Sequence, residues 1–154
     1  MPFIEQMKSE ANRQYPKETG GCLMGYLSDN KKDIVITDIV GPGSKATHKN
    51  NSFIPDYDYQ ERKVAEIYKK TGRTSTYLGD WHTHPDGRQS LSNIDVTALQ
   101  NISAYSKART ESPIMVILSG SPSRWTLSAW QLLSKKFLFV RFGKFLREVK
   151  LRIH

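Results

Sequence analysis

Apolar positions along the chain change period several times, and each change marks a predicted element. Phe3, Ile4, Met7 and Ala11 recur at helical spacing, which predicts an amphipathic helix over about 3–14; Pro16 blocks its continuation. Gly20-Gly21 opens a short apolar run, Cys22 to Leu27, that reads as a buried strand. Asp29-Asn30-Lys31 supplies turn residues, and Asp33 to Val40 alternates and is β-branched, so the two runs predict a hairpin. Gly41-Pro42-Gly43-Ser44 breaks the chain into an irregular loop that runs to about Asn51, and Ser52-Phe53-Ile54 is a candidate short strand. Pro55-Asp56 then leads into a helix over about 57–71, with Tyr57, Val64, Ile67 and Tyr68 inward and Gly72 as its stop.

Thr74 to His84 reads as a strand and Asp86-Gly87-Arg88 as a turn. From Asn93, the positions Ile94, Ala98, Leu99, Ile102 and Tyr105 form a second helical stripe. Ile114 to Leu118 is a fully apolar strand, Ser119 to Ser123 a turn and Trp125 to Leu133 a strand, with two further strands expected within 137–142 and 145–153. No repeat, low-complexity segment or linker interrupts the order. Helix, hairpin, helix, strand, helix and several strands predict a mixed α/β fold, one sheet flanked by helices, as a single domain over 1–154.

Composition narrows the function classes. A chain of 154 residues can bury a core without disulfides or metal staples. Apolar residues make up 38% and charged residues 25%, which predicts a soluble globular protein, and no apolar run nears the roughly 20 residues that span a bilayer. The segment Met1–Glu10 carries two acids and no apolar stretch of signal-peptide type. The single cysteine, Cys22, excludes a disulfide within the chain and suits a reducing cytoplasm. A net charge of +8 admits an acidic partner such as nucleic acid. Much of that excess, however, lies in Lys135, Lys136, Arg141, Lys144, Arg147, Lys150 and Arg152, which alternate with apolar residues as on the solvated face of strands, so nucleic-acid binding is not expected as the main function.

The chemistry concentrates in His82-Thr83-His84-Pro85, followed by Ser92 and Asp95. Two imidazoles and a carboxylate form the ligand set of a catalytic zinc site. Residues two apart on a strand share a face, so His82 and His84 can grip one ion, and a helix starting near Ser92 would carry Asp95 in its first turn. Ser92-x-x-Asp95 reads equally well as a plain capping box. Alone, the histidine pair suits a nuclease, a deaminase or a structural zinc feature. A hydrolase also needs a general base, and Glu18, in Glu18-Thr19-Gly20-Gly21, is the candidate, although by itself it reads as an exposed loop carboxylate. Cys22 is expected as a buried strand residue, His48 as a surface residue of a polar loop and His154 as a terminal residue without a role. Trp81 is expected to point away from the His82 face into the core, with Trp125 and Trp130 packing on strands. Loops 42–52, 86–91 and 119–124 are candidates to line a groove for an extended substrate tail, which could pair with a sheet edge.

Taken together, Glu18-Thr19-Gly20-Gly21 with Leu23 and Gly25, His82-x-His84-Pro85, and Ser92-x-x-Asp95, with ten residues between His84 and Asp95, resemble the JAMM metalloprotease family, the MPN or Mov34-type domain, over about 14–133. The resemblance implies a cytidine-deaminase-like mixed β-sheet flanked by helices. It implies that His82, His84 and Asp95 bind Zn2+, that Glu18 is the general acid/base, and that the Ser92 hydroxyl stabilises the oxyanion. With these positions filled, a non-catalytic MPN scaffold or a basic nucleic-acid-binding module is the lesser alternative. Gly41-Pro42-Gly43, Phe53, Asp56, Gln60 and Tyr77 to Pro85 further resemble the short bacterial members, above all the deconjugating peptidases of CBASS antiphage operons. These imply a deubiquitinase-like isopeptidase of the bacterial cytoplasm, serving antiviral defence. Its protein substrate would present an extended C-terminal tail, from a ubiquitin-like modifier or a cyclic-nucleotide synthase (a nucleotidyltransferase) ligated to a target. A functional link to an E1/E2-like ligase is implied as well; the alternative use is processing of a sulfur-carrier protein.

Overall fold

The structure, a computed structural model, describes residues 2–28, 33–137 and 140–150, with the backbone alone described for Pro2, 135–137 and 140–142. The turn expected at Asp29-Asn30-Lys31, the end of the last expected strand and His154 lie outside the described residues. The elements are α1 (Pro2–Gln14), β1 (Gly20–Leu27), β2 (Ile34–Val40), β3 (Thr47–Lys49), β4 (Ser52–Ile54), α2 (Tyr57–Lys70), β5 (Thr76–Pro85), α3 (Asn93–Ala104), a 3-10 turn (Ser106–Ala108), β6 (Ile114–Gly120), β7 (Thr126–Phe137) and β8 (Val140–Val149). Six strands form one sheet in the order β2-β1-β5-β6-β7-β8, and β3 pairs with β4 in a small second sheet. Only β5 and β6 run parallel, because α3 carries the chain across between them; the other pairs are antiparallel. This is the expected mixed α/β fold with helices flanking a mixed sheet.

The layers follow from which faces are apolar. On one face of the sheet, Met7 and Ala11 of α1 pack with Leu23, Leu78, Trp81, Val116 and Leu118. On the other, α3 buries Leu99 against Met115, Ile117 and Leu132, while Val64 and Ile67 of α2 pack on Cys22, Met24 and Val40. β6 is covered on both faces, which accounts for its unbroken apolar run, Ile114 to Leu118. Asp56 caps α2 by accepting the Tyr59 N–H at 3.1 Å.

Three expectations are corrected. Tyr57 is exposed rather than inward, and Ile94 and Tyr105 of the second stripe are exposed as well, because these stripe ends overhang a cavity. The loop expected to run to Asn51 contains β3, whose Thr47-His48-Lys49 offers no hydrophobic period to betray it. The two strands expected beyond residue 137 are one: β8 passes through Gly143, which sits at φ +148° opposite Lys135, beside a bulge. A glycine inside a strand pattern reads as a break, but here it accommodates the bulge.

A second bulge aims the strand that matters most. Leu23 pairs with Gly79 but Met24 pairs with Tyr77, so Leu78 is an extra residue in β5. Leu78 and Trp81, which strict alternation would set on opposite faces, therefore share the α1 side, and His82 and His84 face α2 and α3. Gly79 takes φ +143°, and a Cβ there would lie 2.0 Å from the Ile114 carbonyl oxygen. Gly79→Ala is expected to destabilise the fold by about 1–3 kcal/mol from backbone strain alone. Thermal unfolding checks this; an unchanged Tm would show that the bulge does not depend on the glycine.

Candidate active site and metal centre

β5 delivers both imidazoles to one place: His82 Nε2 and His84 Nε2 lie 2.9 Å apart. Asp95, in the first turn of α3, brings Oδ1 to 3.0 Å from His82 Nε2 and Oδ2 to 3.4 Å from His84 Nε2. All three donor groups fall within 4.8 Å of one another. Donors bonded at about 2.0–2.1 Å to a tetrahedral ion stand about 3.3 Å apart, so both the spacing and the nitrogen–nitrogen–oxygen set fit such an ion. Two of the three ligands are also held from behind. His84 Nδ1 lies 2.9 Å from the Arg88 carbonyl oxygen, a bond that places the ring proton on Nδ1 and turns the Nε2 lone pair to the centre. The Asp95 carboxylate accepts the Ser92 N–H at 2.5 Å, and the Asp95 N–H donates to Ser92 Oγ at 3.2 Å.

The capping box expected at Ser92-x-x-Asp95 is thus present, and it orients the Asp95 carboxylate toward the two histidines. The cap uses a lone pair of the Ser92 hydroxyl and leaves its proton uncommitted by that bond. Burial alone would raise the Asp95 carboxyl, but hydrogen bonds with His82, His84 and Ser92 outweigh it and hold the group well below the usual carboxylate range. The cluster therefore offers a cation a fixed negative charge flanked by two imidazoles.

Glu18 arrives by strand pairing. Gly20 pairs with His82, and continuing that register by two residues sets Glu18 opposite His84. Thr83 N–H donates to the Thr19 carbonyl at 2.8 Å, and Thr19 N–H donates to Thr83 Oγ1 at 2.9 Å, which extends the ladder to the residue beside Glu18. Glu18 is half-buried, not the exposed loop carboxylate its isolated sequence suggests. Burial pushes its carboxyl above the ordinary value, against the opposing pull of His82 and His84.

Glu18, His82, His84, Ser92 and Asp95 all line one cavity of about 1080 Å³. Its walls are largely apolar: Phe53, Val64, Leu91, Ile102 and the overhanging Tyr57, Ile94 and Tyr105. Asn51 and Ser52, and Gly87, Arg88, Ser90 and Leu91, contribute to it, as expected of the loops there, whereas no residue of 119–124 lines it. Trp81 is buried and points away from the site, and its indole N–H donates to the Val40 carbonyl at 3.3 Å. Cys22 is buried, and burial pushes its thiol up, away from nucleophilic use.

Two residues near the site escaped the sequence reading. Asp80 shares the His82 face of β5, a position its spacing of two could have revealed; burial pushes its carboxyl up to about 6 against a 2.8 Å hydrogen bond from the Tyr77 hydroxyl. His48 was expected at the surface, but its Nδ1 lies 2.9 Å from the Glu18 carbonyl oxygen and its ring stacks on Phe53.

Comparison with known proteins gives this geometry a context. Residues 2–133 match the family of prokaryotic homologues of the JAB domain. A Sinorhizobium fredii protein named a probable metalloprotease is 38% identical over 90% of this chain and 85% of its own. An Enterobacter hormaechei protein named a CD-NTase/cGAS isopeptidase is 32% identical over 82% of this chain and 69% of its own. The solution structure of a Desulfitobacterium hafniense protein, DSY2949, covers 98% of this chain and 89% of its own, with a TM-score of 0.63 and 19% identity, a likeness of fold.

The cluster predicts how metal affinity responds to mutation. His82→Ala and Asp95→Ala are each expected to abolish stoichiometric metal binding, read by elemental analysis of purified protein. A Cβ on Gly20 would stand 2.7 Å from His82 Cβ and 2.3 Å from the Trp81 carbonyl oxygen. Gly20→Ala is therefore expected to weaken metal binding by about 10–100-fold, the usual cost of disturbing a ligand's support, in competition with a chromogenic chelator.

Proposed function

The chain belongs to the family of prokaryotic JAB-domain homologues and is a hydrolase, and from that premise we propose that it is a zinc-dependent isopeptidase and peptidase. His82, His84 and Asp95 hold the zinc, Glu18 is the general acid/base and Ser92 the oxyanion donor, within a single JAMM/MPN-type domain over 1–154. The observation that carries this reading is the convergence of Glu18, reached only through strand pairing, on the cluster of His82, His84 and Asp95 at the edge of an apolar cavity. When bound, the zinc would supply Lewis acidity, lowering the pKa of a water to about 7 and polarising the scissile carbonyl.

The chain's own residues do the rest. A substrate tail lies along the apolar wall, and its scissile carbonyl faces the Ser92 hydroxyl. Glu18 accepts a proton as the water oxygen bonds to the carbonyl carbon, and Ser92 donates its hydroxyl proton in a hydrogen bond to the developing oxyanion. The carbon–nitrogen bond then breaks, and Glu18 returns its proton to the leaving amine, either a lysine Nζ or a backbone nitrogen. Burial keeps the Glu18 carboxyl raised, which suits a group that must both take and give a proton.

Similarities to a probable metalloprotease and to a CD-NTase/cGAS isopeptidase support the substrate side. On this reading the enzyme cleaves after the C-terminal tail of a nucleotidyltransferase or a ubiquitin-like protein conjugated to a target. It thereby reverses the work of an E1/E2-like ligase in the CBASS antiviral system of the bacterial cytoplasm. Among the described residues, no helix is long and apolar enough to cross a membrane.

Cleavage of a fusion joining such a nucleotidyltransferase tail to a reporter protein tests the assignment. Activity is expected to vanish with chelator and return with zinc, and a sulfur-carrier fusion is expected to be cut far more slowly. Efficient cutting of the sulfur-carrier fusion instead would move the enzyme to that substrate class. Glu18→Gln is expected to retain zinc while kcat falls by about 10²–10⁴-fold. Ser92→Ala is expected to lower kcat by about 10²–10³-fold. A fully active Glu18→Gln variant would sink the assignment of the proton carrier.

A further inference from the structure

Glu18 stands outside the regular sheet: β1 begins at Gly20, and the ladder to β5 reaches only as far as Thr19. What immobilises Glu18 is a different element. Its N–H donates to the Lys49 carbonyl at 2.8 Å, and its carbonyl accepts from His48 Nδ1 at 2.9 Å. Both main-chain polar groups of Glu18 are therefore taken by β3, a strand of three residues. β3 is short and polar, so it depends on its partner: His48 pairs with Phe53 of β4, and the two rings stack at 6.0 Å and 14°. Phe53 in turn lies against Gly20, where a Cβ would come within 2.9 Å of its ring, and lines the cavity beside the metal cluster.

Among the described residues, the hydrogen bonds of Glu18 are on its backbone and not on its carboxylate. The carboxylate's place relative to His82 and His84 is thus set by the peptide that bears it. We propose that His48 is a positioning residue for the reaction: Nδ1–H, braced by the Phe53 ring, fixes the Glu18 peptide and with it the reach of the Glu18 carboxylate. The inference rests on Glu18 being the proton carrier. In this arrangement Nδ1 carries the ring proton, since a carbonyl oxygen can only accept. An error of about 1 Å in a catalytic group commonly costs about 10²-fold in rate. A loop histidine at the surface would cost nothing when removed, and that is the alternative to be excluded.

The side-chain nitrogen of asparagine stands the same number of bonds from Cα as His Nδ1, whereas that of glutamine stands one further. His48→Ala and His48→Gln are therefore expected to lower kcat by about 10–100-fold, with KM and bound zinc at wild-type levels. His48→Asn is expected to restore most of the rate. In a Glu18→Gln background, His48→Ala is expected to cost nothing further, because it acts through the group already removed.

Wild-type kcat in His48→Ala, with Glu18→Gln inactive, would overturn the role of His48 and leave Glu18 in place. An active Glu18→Gln would overturn both. Equal loss in the Ala, Gln and Asn variants, or a raised KM with kcat unchanged, would also overturn it, by assigning His48 to hairpin structure or substrate binding. If His48→Ala does not fold, the Asn and Gln variants decide: equal kcat in these two overturns the inference.

Discussion

The site depends on how closely β1 can approach its two neighbours. A Cβ on Gly21 would lie 1.8 Å from the Val40 carbonyl oxygen, and one on Gly20 would lie 2.3 Å from that of Trp81. Two consecutive residues without side chains let the strand sit between β2 and β5 with nothing between Gly20 and His82. Once that approach is made, the register follows: Thr19 meets Thr83, and Glu18 comes opposite His84. Residues more than sixty positions apart in the chain are thereby brought to one cavity. The bulge at Leu78 completes the arrangement by turning the two histidines to the side where α3 supplies Asp95.

Several groups in the site serve the fold and the chemistry together. Ser92 and Asp95 close the N-terminus of α3 as a capping box, and the same hydrogen bonds orient the carboxylate toward the imidazoles. Thr19 and Thr83 are fully buried, and their reciprocal bonds join the mouth of β1 to β5 where the ladder ends. The partners of His84 and Asp95 are backbone groups of nearby turns, which are fixed by the fold. Such preorganisation matters because a cluster of charges facing an apolar wall gains little from water and must be held by the protein itself.

Legibility differed among the residues for physical reasons. His82, His84 and Asp95 were readable because strand and first-turn geometry are local, so their spacing carries the information. Trp81 was readable by the same alternation. Glu18 was half legible: its motif resembles that of a known family, but in isolation it is one carboxylate in a loop. His48 was misread as a surface residue because a three-residue polar strand has no periodicity and its partners are distant in the chain. Tyr57 was misread as inward, and Ile94 and Tyr105 of the second stripe are exposed too, because periodicity reports which face of a helix is apolar and is silent about what covers it. At these positions the cover is absent, and the exposed apolar surface becomes a cavity wall.

The amino-acid sequence by itself determined most of the elements, the α/β class, the cluster-forming motif and the family resemblance. These follow from local periodicity and fixed spacings, which depend only on bond geometry along a few residues. The tertiary structure alone decided which strands are neighbours, where the bulge at Leu78 reverses the facing of β5, and how the β3–β4 hairpin closes on Glu18. Those are contacts between distant segments. They depend on glycine-permitted approach and on apolar layers meeting face to face, which no window of sequence contains.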